Sequence, residues 1–269
     1  MEKNKKVRKR LQLILFILLS ALFVIAGAAL WIDYSDYAHE DNQFKELAHI
    51  VSDIDSPSSS TSANMGIESE PTADEEGMLP QYASLYARNA DMAGWVVVDG
   101  TTINYPVMYS VDEDNFYLSH DFDRNKSRSG VPFIDGRCSL DPVSTNTIIY
   151  GHHMKNGTMF TPLTKFEDEA FYRQHQMIRF DTLYEQHEYE IISVFESYIF
   201  QKSEDAYRHY DFINATGKEE FDEFIGVINK RALYDTGKTA AYGDELLTLI
   251  TCEYHADYGQ LVVVAKKVS

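Results

Sequence analysis

The chain has 269 residues, and 44% of them are hydrophobic, which suits one globular domain with attached segments. It contains 42 acidic and 24 basic residues, and a formal net charge of −18 is unfavourable for binding nucleic acid. The two cysteines, Cys138 and Cys252, are too few for a disulfide framework. They are able to pair, but Cys138 is better explained as a small buried hydrophobe.

Residues 1–10 and 11–31 have the composition of a basic segment followed by a transmembrane anchor. The first carries six cations, and the second has 21 residues without a charge, enough for a helix to cross a bilayer core of about 30 Å. The cations predict a cytoplasmic N-terminus and export of the rest of the chain. A cleaved signal peptide is the alternative, because residues 26–28 read Ala-Gly-Ala. The retained anchor is favoured because the apolar run is long for a signal peptide.

Residues 32–78 form a juxtamembrane region in this interpretation. A weak helical pattern covers residues 33–54, where apolar side chains recur at helical spacing. Residues 55–77 consist mainly of Ser, Thr, Pro and acidic residues and have almost nothing to bury. This composition predicts a linker or a disordered segment.

Residues 79–269 have the pattern of a mainly β domain. A helix is predicted over residues 81–96, and an amphipathic helix over residues 218–233, with Phe221, Phe224, Ile225 and Ile228 on one stripe. Eight short strands are predicted between loops that contain Gly, Asp, Asn and Ser. They cover residues 94–100, 102–108, 131–135, 146–151, 177–183, 187–200, 245–252 and 260–267. This number of strands at short spacing predicts a closed or nearly closed β-barrel.

Cys252 stands at the end of a predicted strand, where the apolar run changes to polar residues. A reactive thiol needs a partner that holds it as thiolate, together with hydrogen-bond donors for an oxyanion. Among nine histidines, only His152 and His153 directly follow a β run and a glycine, which is expected to let the chain turn sharply. If both strand ends open on one face of the barrel, a Cys–His pair results.

Two other interpretations of these residues remain open from the pattern alone. Cys252 is a structural cysteine in the first, and His152 and His153 face solvent. In the second, Cys252, His255 and the histidine pair bind a metal ion, although their spacing matches no recognisable ligand pattern.

Several motifs in the same order resemble those of the sortases, the thiol transpeptidases of the Gram-positive surface. The resemblance covers roughly residues 80–268 and is strongest in "TLITC", which ends at Cys252, and in "IIYGHHMKNGTMF", residues 148–160. The segments "GWVVVDGTTINYPVM" and "DNFYLSHDFDRNKSRSGVPFID" are similar to those of class B, as is a long helix at about residues 217–232. The resemblance implies a mainly β fold, the eight-stranded sortase-type barrel with a few helices, preceded here by the N-terminal transmembrane helix.

The resemblance also assigns roles to single residues. It implies that Cys252 is the nucleophile and that His152, which directly follows Gly151, is the proton donor and acceptor. Gln260 departs from the pattern, because it stands where sortases have an arginine that binds substrate and stabilises the oxyanion. The backbone N–H of Glu253 and the Gln260 amide are expected to hold the oxyanion, and Thr251 either supports the Cys252 loop or is an ordinary strand residue.

The implied activity is that of a class B cysteine transpeptidase. It cleaves an Asn-Pro-x-Thr-x type sorting signal of exported proteins through a thioester and joins them to a cell-wall amine, the peptidoglycan precursor. No cofactor and no metal are expected, and the catalytic domain is expected outside a cell membrane that the chain crosses once. The alternatives are a catalytically weakened sortase-like binding protein, suggested by Gln260, and a pilin-polymerising sortase.

Overall fold

The structure is a computed structural model that describes residues 2–55, 77–110, 113, 115–198, 200, 203–204, 206–252 and 259–269. The chain divides into two compact units, Met1–Gln43 and Phe44–Ser269. The linker expected over residues 55–77 lies almost entirely outside the described residues, as does Glu253.

Four α-helices and three short 3-10 helices occur in the described part of the chain. The α-helices are α1 (Glu2–Asp55), α2 (Pro80–Arg88), α3 (Glu169–Gln174) and α4 (Lys218–Arg231), and the 3-10 helices are Phe116–Leu118, Thr161–Glu167 and His209–Asp211. Helix α1 contains both the run 11–31 and the helix expected at 33–54. Across the residues that the structure describes, no helix combines the length and apolar character needed to span a membrane.

Eight strands close into a barrel, which confirms the predicted fold. They are β1 (Met92–Val98), β2 (Asn104–Met108), β3 (Phe133–Ile134), β4 (Asn146–His152), β5 (Met177–Thr182), β6 (Glu188–Tyr198), β7 (Leu246–Cys252) and β8 (Gly259–Lys267). Their order around the barrel is β1-β2-β3-β4-β7-β8-β6-β5. The pairs β2–β3 and β4–β7 are parallel, and the other neighbours are antiparallel.

The predicted helix over residues 81–96 is wrong in its second half, where β1 begins at Met92. Helix α2 ends at Arg88 because the backbone of Asn89 is extended (φ −148°, ψ 107°), and the Asn89 side chain anchors this end by donating hydrogen bonds to the Tyr117 hydroxyl and the Phe122 carbonyl. Gly94 then lies so close to β5 that an added Cβ would be 2.1 Å from the Asp181 carbonyl oxygen. The periodicity of this segment is therefore overridden by tertiary contacts.

Helix α4 packs its apolar stripe onto the barrel at β6. The four side chains predicted to share this stripe are all buried. The hydroxyl of Ser193 on β6 donates a hydrogen bond of 3.0 Å to the carbonyl of Ile228 on α4. This contact fixes α4, which lies between β6 and β7 in the chain, against β6.

Candidate active site

His152 and Cys252 are paired Cα positions at the ends of the parallel strands β4 and β7. Neighbouring strands lie about 4.8 Å apart, so residues one hundred positions apart in the chain become adjacent. Cys252 is described here by its backbone. The condition set by the sequence, that both strand ends lie together, is met.

The register of these two strands is fixed by a buried polar pair near their start. The hydroxyl of Thr248 donates a hydrogen bond of 2.7 Å to Oδ1 of Asn146, and Nδ2 of Asn146 donates one of 2.9 Å to the Phe212 carbonyl. Both side chains are almost fully buried, at 2% and 0% exposure. A slip of β7 by one residue would separate the Thr248 hydroxyl from Oδ1 of Asn146, so the pair favours the alignment that brings His152 beside Cys252.

The imidazole of His152 is buried and held by a backbone carbonyl. It is 3% exposed, and its Nε2 lies 2.6 Å from the carbonyl oxygen of Leu118 in the first 3-10 helix. A carbonyl oxygen only accepts, so Nε2 is the donor and carries a proton in this arrangement. The contact fixes the tilt of the ring. Leu118 gave no signal in the sequence analysis, because it contributes a carbonyl and not a side chain.

Gly130 supports the backbone that holds His152. Its φ is +57°, and an added Cβ would lie 2.4 Å from the Tyr117 carbonyl oxygen and 2.9 Å from that of Leu118. Val131 donates a backbone hydrogen bond to the same Tyr117 carbonyl. The position therefore requires glycine for its conformation and for its close approach to the 3-10 helix.

The role predicted for Gly151 needs correction. It lies within strand β4 and is not among the glycines with positive φ, so it does not provide a turn. An added Cβ would instead lie 2.5 Å from the ring of Phe160, whose backbone N–H donates to the His152 carbonyl. Glycine is required here because an aromatic ring packs directly on the strand.

Thr251 lies on β7, directly before Cys252, and Gln260 lies on the neighbouring strand β8. Oγ1 of Thr251 accepts a 2.8 Å hydrogen bond from the backbone N–H of Leu261, at the point where β7 and β8 stop pairing through their backbones. Gln260 follows at the start of β8, is 7% exposed, and its Oε1 has no hydrogen-bond partner among the described residues.

Cys138 differs from a reactive cysteine because its thiol is buried. It is a free, buried thiol, and burial raises its pKa to about 11. Its Sγ lies 3.6 Å from the Asn146 carbonyl oxygen. A thiol with this pKa is protonated at neutral pH and is a poor nucleophile.

Within the part of the chain that the structure describes, no group of three His, Cys, Asp or Glu side chains is arranged to hold a metal ion.

A charged network joins the third 3-10 helix to the barrel beside the site. Arg137 donates to the carboxylates of Asp135 and Asp211, at 2.7 and 2.9 Å, and to the Tyr210 carbonyl. The Tyr150 hydroxyl on β4 donates to Asp135 at 3.2 Å. The third 3-10 helix is thus fastened through Arg137 and Asp135 to Tyr150 on β4.

The sequence-family model of the sortase domain matches residues 96–268 of this chain. Among curated proteins, sortase B of Staphylococcus aureus is 32% identical over 194 residues, covering 71% of this chain and 76% of that protein. Sortase B of Listeria monocytogenes is 32% identical over 183 residues, covering 67% and 71%. A Staphylococcus aureus sortase B–substrate complex has a TM-score of 0.72 at 26% identity, covering 87% of this chain and 99% of that one. Sortase B from Bacillus anthracis in complex with AAEK1 has a TM-score of 0.70 at 29% identity, covering 88% and 99%.

Proposed function

This chain belongs to the sortase family as a class B cysteine transpeptidase, and we propose that Cys252 and His152 carry its reaction on an Asn-Pro-x-Thr-x type sorting signal. The observation that supports these two residues is their pairing at the ends of β4 and β7. Adjacent ends of two paired strands can bring a thiol and an imidazole within the reach that a nucleophile and its acid–base partner need.

The first half of the reaction forms a thioester. The Cys252 thiolate attacks the carbonyl carbon of the signal's threonine, and the carbonyl oxygen becomes an oxyanion. The C–N bond of the peptide then breaks, and the imidazolium of His152 gives its proton to the leaving amine. The C-terminal part of the substrate departs, and the remainder stays on Cys252.

The second half transfers the substrate to a cell-wall amine. The amine nitrogen attacks the thioester carbonyl, neutral His152 takes one of its protons, and the C–S bond breaks to restore the thiolate. The product is the exported protein linked through its threonine to the peptidoglycan precursor. His152 gives a proton in the first half and takes one back in the second, so the resting state is regenerated.

The oxyanion needs donors near the end of β7. In this proposal they are the Nε2–H of Gln260 and the backbone N–H of Glu253, the residue outside the described part of the chain. Thr251 helps by holding the end of β7 against the start of β8, because its hydroxyl accepts the hydrogen bond from the backbone N–H of Leu261. A neutral amide supplies neither charge nor a bidentate fork, so its contribution is smaller than that of an arginine.

The proposal includes a membrane anchor at residues 11–31 with the catalytic domain outside the cell. Its support is the uncharged 21-residue run behind six cations, whose described large apolar side chains are exposed, such as Phe23 at 81%. An anchor would hold the enzyme where exported substrates and a lipid-linked amine both arrive. Cell fractionation tests it: the protein is expected in the membrane fraction at full mass, whereas a cleaved form would indicate a signal peptide.

Mass spectrometry of the full-length protein in detergent with an Asn-Pro-x-Thr-x peptide tests the function. A thioester adduct that is released by an added amine is expected. A protein that binds the peptide without an adduct would instead be the weakened, signal-binding sortase that Gln260 suggests.

A further inference from the structure

A glutamine in place of an arginine has a problem of orientation. A guanidinium presents donors over its whole outer edge, but an amide has one donor end and one acceptor end of nearly equal shape. If Gln260 is turned the wrong way, its Oε1 faces the oxyanion and repels it. A glutamine at this position therefore needs a second group that fixes which end faces the substrate.

The structure shows that the acceptor end of Gln260 lacks a partner. Oε1 is buried and forms no hydrogen bond with any residue that the structure describes. A buried acceptor without a donor costs roughly 1–3 kcal/mol, so it is a place where an additional hydrogen bond is favoured.

A candidate donor lies across the β6–β8 pair. Ser197 is the Cα partner of Gln260, and residues directly opposite on antiparallel strands have Cβ atoms about 4.5–5.5 Å apart on one face. The hydroxyl of Ser197 lies 3.4 Å from Nδ1 of His209, in the third 3-10 helix. Ser197 is therefore the cross-strand neighbour of Gln260 and, at the same time, lies within hydrogen-bond distance of the His209 imidazole.

The ring of His209 determines the direction of this contact. His209 is 2% exposed, and its Nε2 has no hydrogen-bond partner in the described part of the chain. Burial, followed by the nearby charge of Arg231, lowers its pKa to about 3, so the ring is neutral at neutral pH. Because a buried N–H without an acceptor is especially unfavourable, the proton belongs on Nδ1, which donates to the Ser197 oxygen.

We propose that Ser197 and His209 are positioning residues that fix the amide of Gln260 with its donor end toward the substrate. With Nδ1–H of His209 donating to Ser197, the Ser197 hydroxyl hydrogen is left to donate to Oε1 of Gln260. With the Gln260 side chain turned so that Oε1 accepts this bond, Nε2–H faces the reacting carbonyl. The inference rests on the proposed function and explains how this sortase works without arginine at that position.

The kinetic test compares two backgrounds, Gln260 and Gln260→Arg, using an Asn-Pro-x-Thr-x peptide and the full-length protein. With Gln260 present, Ser197→Ala and His209→Phe are expected to lower kcat toward the value of Gln260→Ala with little change in KM. Ser197→Thr keeps the hydroxyl and is expected to retain activity. With Gln260→Arg, Ser197→Ala is expected to cost less than about twofold, because an arginine does not need to be oriented.

Ser193→Ala is the matched control, because Ser193 lies on the same strand and face but donates to the Ile228 carbonyl. It is expected to leave kcat unchanged in both backgrounds. Equal losses from Ser197→Ala in both backgrounds, or a loss larger than that of Gln260→Ala, would show that Ser197 acts only through the fold.

A second measurement does not depend on catalysis. The side-chain ¹⁵Nε2 resonance of Gln260, identified by its absence in Gln260→Ala, responds to a hydrogen bond accepted by Oε1. It is expected to shift in Ser197→Ala and His209→Phe and to stay in place in Ser193→Ala. An unmoved resonance overturns the positioning inference even in an active enzyme, whereas an inactive parent with a shifted resonance overturns the proposed function alone.

Discussion

His152 lies directly opposite Cys252, each as the last residue of its own strand, and the two strands run parallel. Parallel neighbours end on the same edge of the sheet, so both residues stand at one opening of the barrel. The arrangement needs no flexible loop to bring the proposed acid–base group and the proposed nucleophile together. This rigidity makes the roles of neighbouring residues separable by substitution.

Cys252→Ala is expected to abolish peptide cleavage and adduct formation, whereas Cys138→Ala leaves both intact. The physical reason is that the Cys138 thiol is buried and its pKa is raised to about 11. Alkylation by iodoacetamide at neutral pH, read by mass spectrometry, is expected to modify one site, Cys252. Turnover by Cys252→Ala near the parent rate would refute the thiol mechanism.

His152→Ala is expected to lower kcat/KM by at least the ~10²-fold typical of a general acid–base group. His153→Ala is expected to cost much less, because it lies one position beyond the paired end of β4, in an isolated bridge with Met159. Steady-state cleavage of the peptide measures both. A larger loss from His153→Ala than from His152→Ala would contradict the assignment of the acid–base role.

Gly130→Ala is expected to damage the site without touching any proposed catalytic residue. The new Cβ pushes on the carbonyls of Tyr117 and Leu118, and Leu118 holds the ring of His152. Misplacing a catalytic group by about 1 Å costs on the order of 10²-fold, which is the loss expected in kcat/KM.

Gly157→Ala is the matched control for Gly130→Ala. Gly157 also has positive φ, +83°, but an added Cβ would meet nothing within 4 Å. The backbone strain of about 1–2 kcal/mol is common to both variants, so both are expected to lower the melting temperature. Similar activity losses in the two variants would mean that the Leu118 contact does not matter.

Gln260→Ala is expected to cost less than the ~10²–10³-fold associated with a well-placed oxyanion donor, because a single neutral amide is removed. Gln260→Arg is expected to raise kcat/KM, since a guanidinium adds charge and several fixed donors. The measurement is kcat/KM for the peptide across the three proteins. A steep loss with alanine and no gain with arginine would make Gln260 a fully effective donor in its own right.

The stability of the domain is expected to fall with acid partly through His209. Its folded pKa of about 3 lies below the usual value near 6.5, so the unfolded chain binds its proton first. The stabilising contribution is therefore complete above about pH 6.5 and is lost as pH falls toward 3, at up to about 1.4 kcal/mol per pH unit.

Urea unfolding at pH 7 and pH 4.5 measures this effect. His209→Phe keeps an aromatic ring against Phe195, with which His209 makes an edge-to-face contact, and removes the titration. The variant is expected to lose less stability between the two pH values than the parent. An identical loss in parent and variant would show that His209 does not contribute.

The eight strands and helix α4 follow from local patterns in the sequence. Alternating or continuous apolar runs bounded by turn residues fix where strands form, because each strand must bury at least one face. The apolar stripe of α4 was likewise readable from spacing alone, and all four of its predicted side chains are buried. The helix predicted through residue 96 failed because the contacts of Asn89 and Gly94 with distant segments are invisible to periodicity.

The candidate site likewise has features that the sequence predicts and features that only the tertiary structure shows. The sequence by itself singled out Cys252, His152 and the anomalous Gln260, since strand-end positions and motif resemblance are properties of short segments. Only the tertiary structure decided that the first two are partners in register, because the buried Asn146–Thr248 pair sets that alignment across about one hundred residues. It also brought the Leu118 carbonyl to His152 and the Ser197–His209 pair beside Gln260. Backbone acceptors and cross-strand neighbours leave no mark in local sequence, because their identity depends on which strands pair.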